Sequence, residues 1–340
     1  MWRWYIANYL RSILLGFPIG WSHFRRYQLP SSREETLGPY YVEWDPGTGI
    51  YGEDWTVAPR DEKGVIVTKG IQKYHPVQIA RYGLYNYNVW VRTRSASARS
   101  EFLTQAHWLR DNQVERLGVG GCYPLDYPLV RFGADVGWIS AMAQGVAISL
   151  LLRAAEHAPN DGFVDAALLA AEPFKHEIVH GGVVWKGETG VQFFEEVAVS
   201  PPSHILSGHI YALWGLYDLL NVRDSENMRQ IAAAGNRTLR LWLPLFDSEH
   251  WSYYMLLGTS SGYRNFAQLK YHALHIAQLR VTAAFTGDEY YGEIADRWEE
   301  QTKRMSSRFH LYANSLVGLV PRFTTHADSV PGGARSIVDA

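Results

Sequence analysis

The sequence predicts a mainly α-helical fold class, an (α/α) barrel or toroid of about four helical hairpins with short β-hairpins inserted between them. Apolar residues recur at helical spacing from about residue 76, and candidate helices begin near residues 75, 98, 137, 160, 203, 225, 265 and 288. These starts form four pairs, and the two starts of a pair lie about 22 residues apart, which leaves only a short turn between antiparallel neighbours. A small irregular or β-containing segment precedes the first pair.

The predicted helix ends follow from residue chemistry. Ser225 and Asp288 are side chains that cap a helix start, and Gly287 suits the left-handed residue that closes one. Pro173 and Pro244 end the fourth and sixth helices, because proline lacks the backbone N–H that a helix interior needs.

The longer connections lie between the pairs, where a helical scaffold usually carries its chemistry. Residues 181–185 and 191–194 predict a hairpin between pairs two and three, and residues 251–255 predict a strand between pairs three and four. Before the first pair, residues 64–68 are strand-like. We therefore predict three regions: an N-terminal extension (1–70), a catalytic barrel domain (71–322) and a loose tail (323–340).

Composition excludes several function classes. The 340 residues carry a net charge of -2, which does not indicate a nucleic-acid partner. Cys122 is the single cysteine, so the chain has neither an internal disulfide nor a thiolate metal cluster. The aromatic share of 14% suits either stacking on sugar faces or filling of the core.

The N-terminal residues 1–18 are aromatic and basic. No run of about 20 apolar residues predicts a transmembrane span, and no cleavable signal peptide is evident, so we expect a cytoplasmic or membrane-peripheral protein. A segment of this kind packs on its own body, on a membrane surface or on a second subunit. We predict a homodimer, because an exposed apolar patch is usually an interface.

One predicted helix carries an uncharged polar stripe. The residues Gln268, Tyr271, His275, Gln278 and Thr282 are spaced so that all five share one face. The stripe predicts the wall of a wet cavity, because unpaired polar groups are costly in a dry interior. The alternative is a set of buried polar groups that are satisfied between helices.

Two further sequence motifs could contribute either to catalysis or to packing. Glu195 and Glu196 follow an apolar run, where paired carboxylates could act as acid and base or could form a solvent-facing turn. Residues 140–145 are small and uncharged, which allows close approach of either a ligand or a neighbouring helix.

These motifs together resemble those of the D-glucuronyl C5-epimerase family, which includes the heparan and heparosan epimerases. The resemblance runs from about residue 75 to residue 305. It is carried by six motifs that follow one another in the same order as in the family. They are HPVQIARYG at 75–83, GWISAMAQG at 137–145, the Glu-Glu pair with Pro201 and Ser203, GLYD at 215–218, LPLFD at 243–247, and Tyr271-His272 with His275 and Gln278.

The resemblance implies a polysaccharide uronate C5-epimerase, an isomerase with an acidic polysaccharide substrate. It implies Tyr271, Tyr253 and Glu196 as catalytic residues. The substrate-binding residues that it implies, with those that the sequence suggests beside them, are Glu195, Trp138, Gln144, Ser207, Arg264, Gln268, His272, His275, Gln278, His75 and Gln78.

The sequence departs from the animal enzymes at cationic positions. Their Asp-Leu-Arg-His run is residues 254–257 here, and an arginine three residues before the Tyr-His word is Gln268. Arg264 could replace one of these charges. We expect no cofactor, and the one metal that the resemblance suggests is calcium, for which Asp45 and Asp54 form a comparable acidic turn.

Two alternatives to epimerisation stay open. The carbanion formed at C5 could instead expel the substituent at O4, which would make the protein a uronate lyase. The chain could also be an inactive saccharide-binding homologue.

Overall fold

The computed structural model describes residues 29, 37–43, 58–68, 72–256, 265–307 and 309–311. In this part of the chain, eight α-helices of nine or more residues form four hairpins, which confirms the predicted fold class. Each helix begins within four residues of its predicted start. The pairs are α1 (Pro76–Thr93) with α2 (Ala96–Asp111), α3 (Ala141–His157) with α4 (Phe163–Ala171), α5 (Leu206–Val222) with α6 (Glu226–Trp242), and α7 (Leu269–Thr286) with α8 (Glu289–Lys303).

The helix ends have the predicted causes. The Ser225 hydroxyl accepts from the amide of Met228, and the Asp288 carboxylate accepts from the amide of Tyr290. Gly287 closes α7 in the left-handed region at φ 67°. After α4 and α6 the chain tightens into 3-10 turns, Glu172–Lys175 and Leu243–Phe246, each with a proline in its first turn.

The first helices of the four pairs, α1, α3, α5 and α7, run parallel to one another and are called the inner helices here. Between α5 and α7, the Gln278 amide donates to the Ser207 carbonyl at 3.0 Å, and the Trp214 indole donates to the Thr282 hydroxyl at 3.2 Å. Of these two contacts, the one made by the later residue of α5 is also the one made by the later residue of α7, as expected for two parallel helices. The same order appears in the pairs Gly83 with Leu150, Tyr87 with His157, Gly145 with Ala212, and Arg153 with Asp218.

Short β elements lie between the hairpins. The predicted hairpin is present as β3 (Val184–Lys186) paired antiparallel with β4 (Gln192–Phe194). A second antiparallel hairpin, β1 (Val114–Arg116) with β2 (Gly120–Cys122), was not predicted. Residues 251–255 and 64–68 form isolated β-bridges, not ladders of a regular sheet.

Residues 37–43 span the C-terminal ends of the inner helices. Tyr40 and Asn88 of α1 exchange two hydrogen bonds, at 2.7 and 2.9 Å. The Tyr41 hydroxyl donates to Asp218 of α5, and its ring contacts Phe285 of α7 at 4.9 Å. Arg153 of α3 pairs with Asp218 at 2.8 Å in a fully buried ion pair. This end of the inner helices is therefore filled by protein.

Three predictions about the chain ends stay predictions. The domain boundaries at residues 70 and 322 are not tested, although residues 37–43 pack within the helical body. The aromatic N-terminus, on which the homodimer rests, and the tail from 323 lie outside the described residues. No helix in the described ranges is long and apolar enough to span a bilayer.

Candidate active site

The candidate site lies at the N-terminal ends of the inner helices, opposite the end that residues 37–43 fill. The loop after β4 brings Glu196 against the first turn of α5. A Cβ added at Gly208 would lie 2.5 Å from the Cβ and from Oε2 of Glu196, so glycine permits this approach. The loop is held to the start of α3, because the Ala141 amide donates to the Glu195 carbonyl at 2.9 Å.

Glu196 has the electrostatics of an acid/base group. It is half-buried, and its buried Oε2 has no hydrogen-bond partner among the described residues. Burial is the main cause that raises the pKa of Glu196 to about 7; Arg81 opposes the rise and Glu195 contributes to it. A carboxyl that titrates near neutrality can both take and return a proton at physiological pH.

The other carboxylate of the pair has a different role. Glu195 is fully buried and accepts from the Ser203 amide and hydroxyl, both at 3.2 Å, and from the His204 amide at 3.0 Å. The His204 imidazole also contacts it. The sequence analysis places Glu195 among the substrate-binding residues, whereas these contacts tie its carboxylate to the segment that follows Glu196.

The first turn of α7 contributes Tyr271 and a cation. Tyr271 is half-buried, and its ring lies 4.7 Å from that of Tyr254. The Lys270 Nζ lies 5.4 Å from the centre of the Tyr271 ring. Burial, together with the charge of Arg81, lowers the pKa of Lys270 to about 8. Tyr271 therefore stands beside a cation that would favour negative charge on its oxygen.

Tyr253 has other neighbours. Its ring stacks on Phe266 with centroids 5.2 Å apart, and its amide donates to the Phe246 carbonyl at 2.8 Å. Successive residues of an extended segment point to opposite sides. Tyr254 is therefore the tyrosine of this segment that contacts Tyr271, and this geometry alone does not bring Tyr253 to the candidate site.

Arg81 of α1 connects the charged groups of the site. It is only 1% exposed, and it interacts electrostatically with Glu196, Lys270 and His75. The sequence analysis singled out neither Arg81 nor Lys270. A signal was present, because Arg81 interrupts a run of residues that all face the interior. Few arginines are buried unless they have a charged or functional partner.

The polar stripe on α7 is more enclosed than we had predicted. His275, Gln278 and Thr282 are fully buried between helices. The Ser252 hydroxyl contacts His275 Nδ1 at 2.9 Å, and Gln278 bonds to the backbone of α5 as described above. His275 Nε2 and Gln278 Oε1 have no hydrogen-bond partner among the described residues. Only Gln268 and Tyr271 of the stripe reach its exposed edge.

Two other residues expected to bind substrate are used by the fold. The fully buried Gln144 amide donates to the carbonyls of Gly121 and Ala170 at 2.7 and 2.8 Å. The ring of His272 stacks on Trp251 at 3.8 Å, and its nitrogens contact Ser252 Oγ and the Trp298 carbonyl. Their hydrogen-bonding capacity is spent within the protein, which indicates a structural role for both.

The remaining expected residues surround the site to different degrees. His75 precedes α1, and burial together with the charge of Arg81 lowers its pKa to about 4. Gln78 is buried and accepts from the Thr68 hydroxyl at 3.0 Å, while Gln268 is exposed. Trp138 is half-buried and donates to the Tyr127 carbonyl at 3.0 Å. Ser207 is buried in the first turn of α5, and Arg264 lies outside the described residues.

The site as a whole is suited to an anion. Four parallel helices present their N-terminal ends there, and helix N-termini attract negative charge. Arg81 and Lys270 add two cations. Among the described residues, no group of three or more His, Cys, Asp or Glu side chains could hold a metal. Asp45 and Asp54, the suggested calcium residues, fall outside the described ranges.

Comparison with known proteins identifies relatives. The family described as "D-glucuronyl C5-epimerase C-terminus" matches residues 121–300. A D-glucuronyl C5-epimerase of Caenorhabditis elegans is 35% identical over 216 residues, which make up 58% of this chain and 34% of that protein. An uncharacterized protein of Methanocaldococcus jannaschii is 27% identical over 182 residues, or 52% of this chain and 56% of that protein. The chain thus spans about a third of the first relative and about half of the second.

Solved structures that align with the chain share little sequence with it. An unsaturated glucuronyl hydrolase from Bacillus sp. GL1 aligns with a TM-score of 0.42 and 17% identity, over 68% of this chain and 61% of that one. An endo-β-1,4-glucanase from Acetobacter xylinum aligns with a TM-score of 0.42 and 12% identity, over 66% of this chain and 67% of that one. The sequence match, which covers more than half of the 340 residues, is the finding that decides membership. The chain belongs to the D-glucuronyl C5-epimerase family.

Proposed function

We propose that the protein is a polysaccharide uronate C5-epimerase, which interconverts D-glucuronate and L-iduronate, or a related uronate pair, within a polymer. The observation that carries this proposal is one cluster of Glu196, Tyr271, Lys270 and Arg81 at the inner-helix N-termini. It combines an acid/base carboxyl, a tyrosine and two cations at an end of the barrel that favours anions.

The reaction needs two proton-transfer groups on opposite faces of the sugar. One group takes the proton from C5, and the electron pair of the broken C–H bond moves into the carboxylate to give an enolate-like dianion. The second group gives a proton to C5 from the other face, so that the sugar is inverted with no net gain or loss of atoms. Donors and cations that meet the developing charge lower this barrier.

We assign the two proton-transfer roles to Glu196 and Tyr271. Glu196 has a pKa near 7 and can transfer protons in either direction at neutral pH. Lys270 beside Tyr271 favours the phenolate that appears when tyrosine gives up its proton. In the reverse reaction the roles exchange. Tyr253, which the family resemblance also implies, remains a candidate third group.

The test is hydrogen exchange at C5. The protein is incubated in deuterated water with heparosan, chondroitin and polymannuronate, and NMR follows H5. We expect deuterium at C5 together with signals of the epimeric uronate in at least one polymer. Glu196→Gln and Tyr271→Phe should each slow exchange by about 100-fold or more, the usual contribution of a proton-transfer group.

Matched controls lie on the outer helix α8. Glu293→Gln and Tyr290→Phe make the same chemical changes away from the site and should leave exchange unchanged. Full exchange in Tyr271→Phe would contradict its assignment. A product that absorbs in the near ultraviolet would instead identify a uronate lyase, and saccharide binding without exchange would identify an inactive binding homologue.

A further inference from the structure

Ser252 links the segment 251–255 to α7 through two histidines. Its fully buried hydroxyl lies 2.8 Å from His272 Nδ1 and 2.9 Å from His275 Nδ1. Its amide also donates to His272 Nδ1 at 3.2 Å, and its carbonyl accepts from the Ala267 amide at 2.9 Å. Every polar group of Ser252 therefore has a partner. A buried polar network that is satisfied in this way holds one arrangement of its members.

The contacts of this bridge determine where its hydrogens lie. His272 Nε2 lies 3.1 Å from the Trp298 carbonyl, which can only accept, so Nε2 carries the hydrogen. Burial lowers the pKa of His272 to about 3 and that of His275 well below its ordinary value, so both rings are neutral at physiological pH. His272 Nδ1 therefore accepts from the Ser252 hydroxyl, because the opposite arrangement would place two lone pairs face to face at 2.8 Å. The Ser252 oxygen in turn accepts from His275, which must carry its hydrogen on Nδ1.

The side of the segment that carries Ser252 also carries Tyr254. Tyr253 and Phe266 pair in an antiparallel β-bridge, and their rings stack with centroids 5.2 Å apart. Alternate residues of an extended segment point the same way, so Tyr254 shares the side of Ser252. Ser252 contacts residues in the first two turns of α7, and Tyr254 contacts Tyr271 closer to the start of that helix, with ring centroids 4.7 Å apart. The segment thus runs along α7 toward the candidate site.

Tyr254 also contacts the other side of the candidate site. Its carbonyl accepts from the Leu206 amide at 3.2 Å, at the start of the helix whose first turn approaches Glu196. Its ring packs against a small apolar cluster that includes Val197, the residue after Glu196. We infer that the hydroxyl of Ser252, through its bridge to α7, positions Tyr254 against Tyr271. This inference rests on the proposed function and adds a positioning residue that touches no reacting atom.

The hydrogen positions can be tested on the wild-type protein without substrate. Long-range 1H–15N NMR of protein labelled at histidine distinguishes protonated from unprotonated ring nitrogens, and His275→Gln assigns the signals of that ring. We expect His275 to carry its hydrogen on Nδ1 in the wild-type protein and to lose this fixed arrangement in Ser252→Ala. A wild-type His275 with its hydrogen on Nε2 would overturn the inference, whatever the activity of the protein.

The position of Tyr271 is followed by 13C NMR of protein labelled at the tyrosine ζ-carbon, with Tyr271→Phe assigning its signal. Ser252→Ala and Tyr254→Ala should each shift this signal, because both change the ring that packs against Tyr271. Ser149→Ala is the matched control, since the Ser149 hydroxyl is buried in α3 and has no hydrogen-bond partner among the described residues. It should leave the Tyr271 signal in place. An unchanged signal in Ser252→Ala would contradict the positioning.

The C5-exchange assay then measures whether Ser252 acts through Tyr254. Ser252→Ala should lower kcat by about 10-fold and leave KM nearly unchanged, because a misplaced group loses rate rather than affinity. Ser252→Thr keeps the hydroxyl and should restore most of the rate. The double variant of Ser252→Ala with Tyr254→Ala should be no slower than Tyr254→Ala alone, because residues that act through one another are not additive. Ser149→Ala should leave kcat unchanged.

The outcomes separate this inference from the proposed function. Exchange at C5 in the wild-type protein, with additive losses in the double variant, would overturn the inference and leave the function intact. The expected histidine tautomers and Tyr271 shifts, without C5 exchange in any polymer, would support the positioning of Tyr254 and reject the function.

Discussion

At the scale of single residues, the environment of Glu196 sets the conditions for its chemistry. A carboxyl kept from water pays for ionisation in the folded protein, and the same cost that raises its pKa reduces the stability of the ionised form. The folded carboxyl titrates at about 7, whereas its ordinary value is 4.5. Between these values the folded chain holds a proton that the unfolded chain has lost, so the wild-type free energy of unfolding falls as pH rises from about 4.5 to 7.

Glu196→Gln removes this titration. The variant should therefore gain stability relative to the wild-type protein between pH 5 and pH 8, by on the order of 2 kcal/mol. Urea unfolding at both pH values measures the difference. Glu293→Gln on the exposed face of α8 is the control and should show no such pH-dependent gain. A Glu196→Gln difference that is the same at both pH values would contradict the raised pKa.

The sequence indicated which segments lie near the candidate site better than it indicated which side chains face it. Glu196 and Tyr271 were identified through the resemblance, and the structure brings both to the inner-helix N-termini. Gln144 and His272 also lie in motifs that match the family, yet their polar atoms are engaged in hydrogen bonds within the fold. A matching motif indicates that a residue lies near the site, but it does not indicate which way the side chain points.

At the scale of elements, the helices were predictable because their signals are local. Caps and apolar spacing act within a few residues, so the predicted starts agree closely with the structure. The β1–β2 hairpin was missed because its strands have three residues each and lack a clear alternating pattern. Contacts between helices were less predictable, since residues 140–145 allowed either ligand approach or packing. Gly145 packs against the backbone of α5.

The contact between α3 and α5 therefore tests the packing directly. A Cβ at Gly145 would lie 2.6 Å from Ala212 Cα, which the two backbones must move to accommodate. Gly145→Ala should lower the free energy of unfolding by about 1–3 kcal/mol, despite the higher helix propensity of alanine. Gly292→Ala in α8 is the matched control, because nothing lies within 4 Å of its added Cβ. It should raise stability by about 1 kcal/mol, and equal gains from both changes would contradict the close packing.

At the scale of the whole molecule, the two ends of the inner helices have opposite roles. One end is filled by residues 37–43 and held by the buried Arg153–Asp218 pair, while the other carries the candidate site. The segment links the C-terminal ends of all four inner helices, which are distant in sequence. The inner helices in turn carry Arg81 and Tyr271, and α5 packs at Gly208 against the Glu196 side chain. Stability at the filled end thus supports geometry at the site.

Breaking the buried pair should destabilise the entire fold. Asp218→Asn leaves the Arg153 charge buried with one fewer anionic partner and weakens the hydrogen bond from Tyr41, so we expect a loss of about 3–5 kcal/mol. Asp224→Asn breaks the exposed pair with Arg229, and screening by water should limit its effect to about 1 kcal/mol or less. Urea unfolding followed by circular dichroism compares the two. Because Arg153→Met combined with Asp218→Leu removes both charges, this double change should recover much of the stability, and a double variant as unstable as Asp218→Asn would show that shape, not charge, governs this end of the barrel.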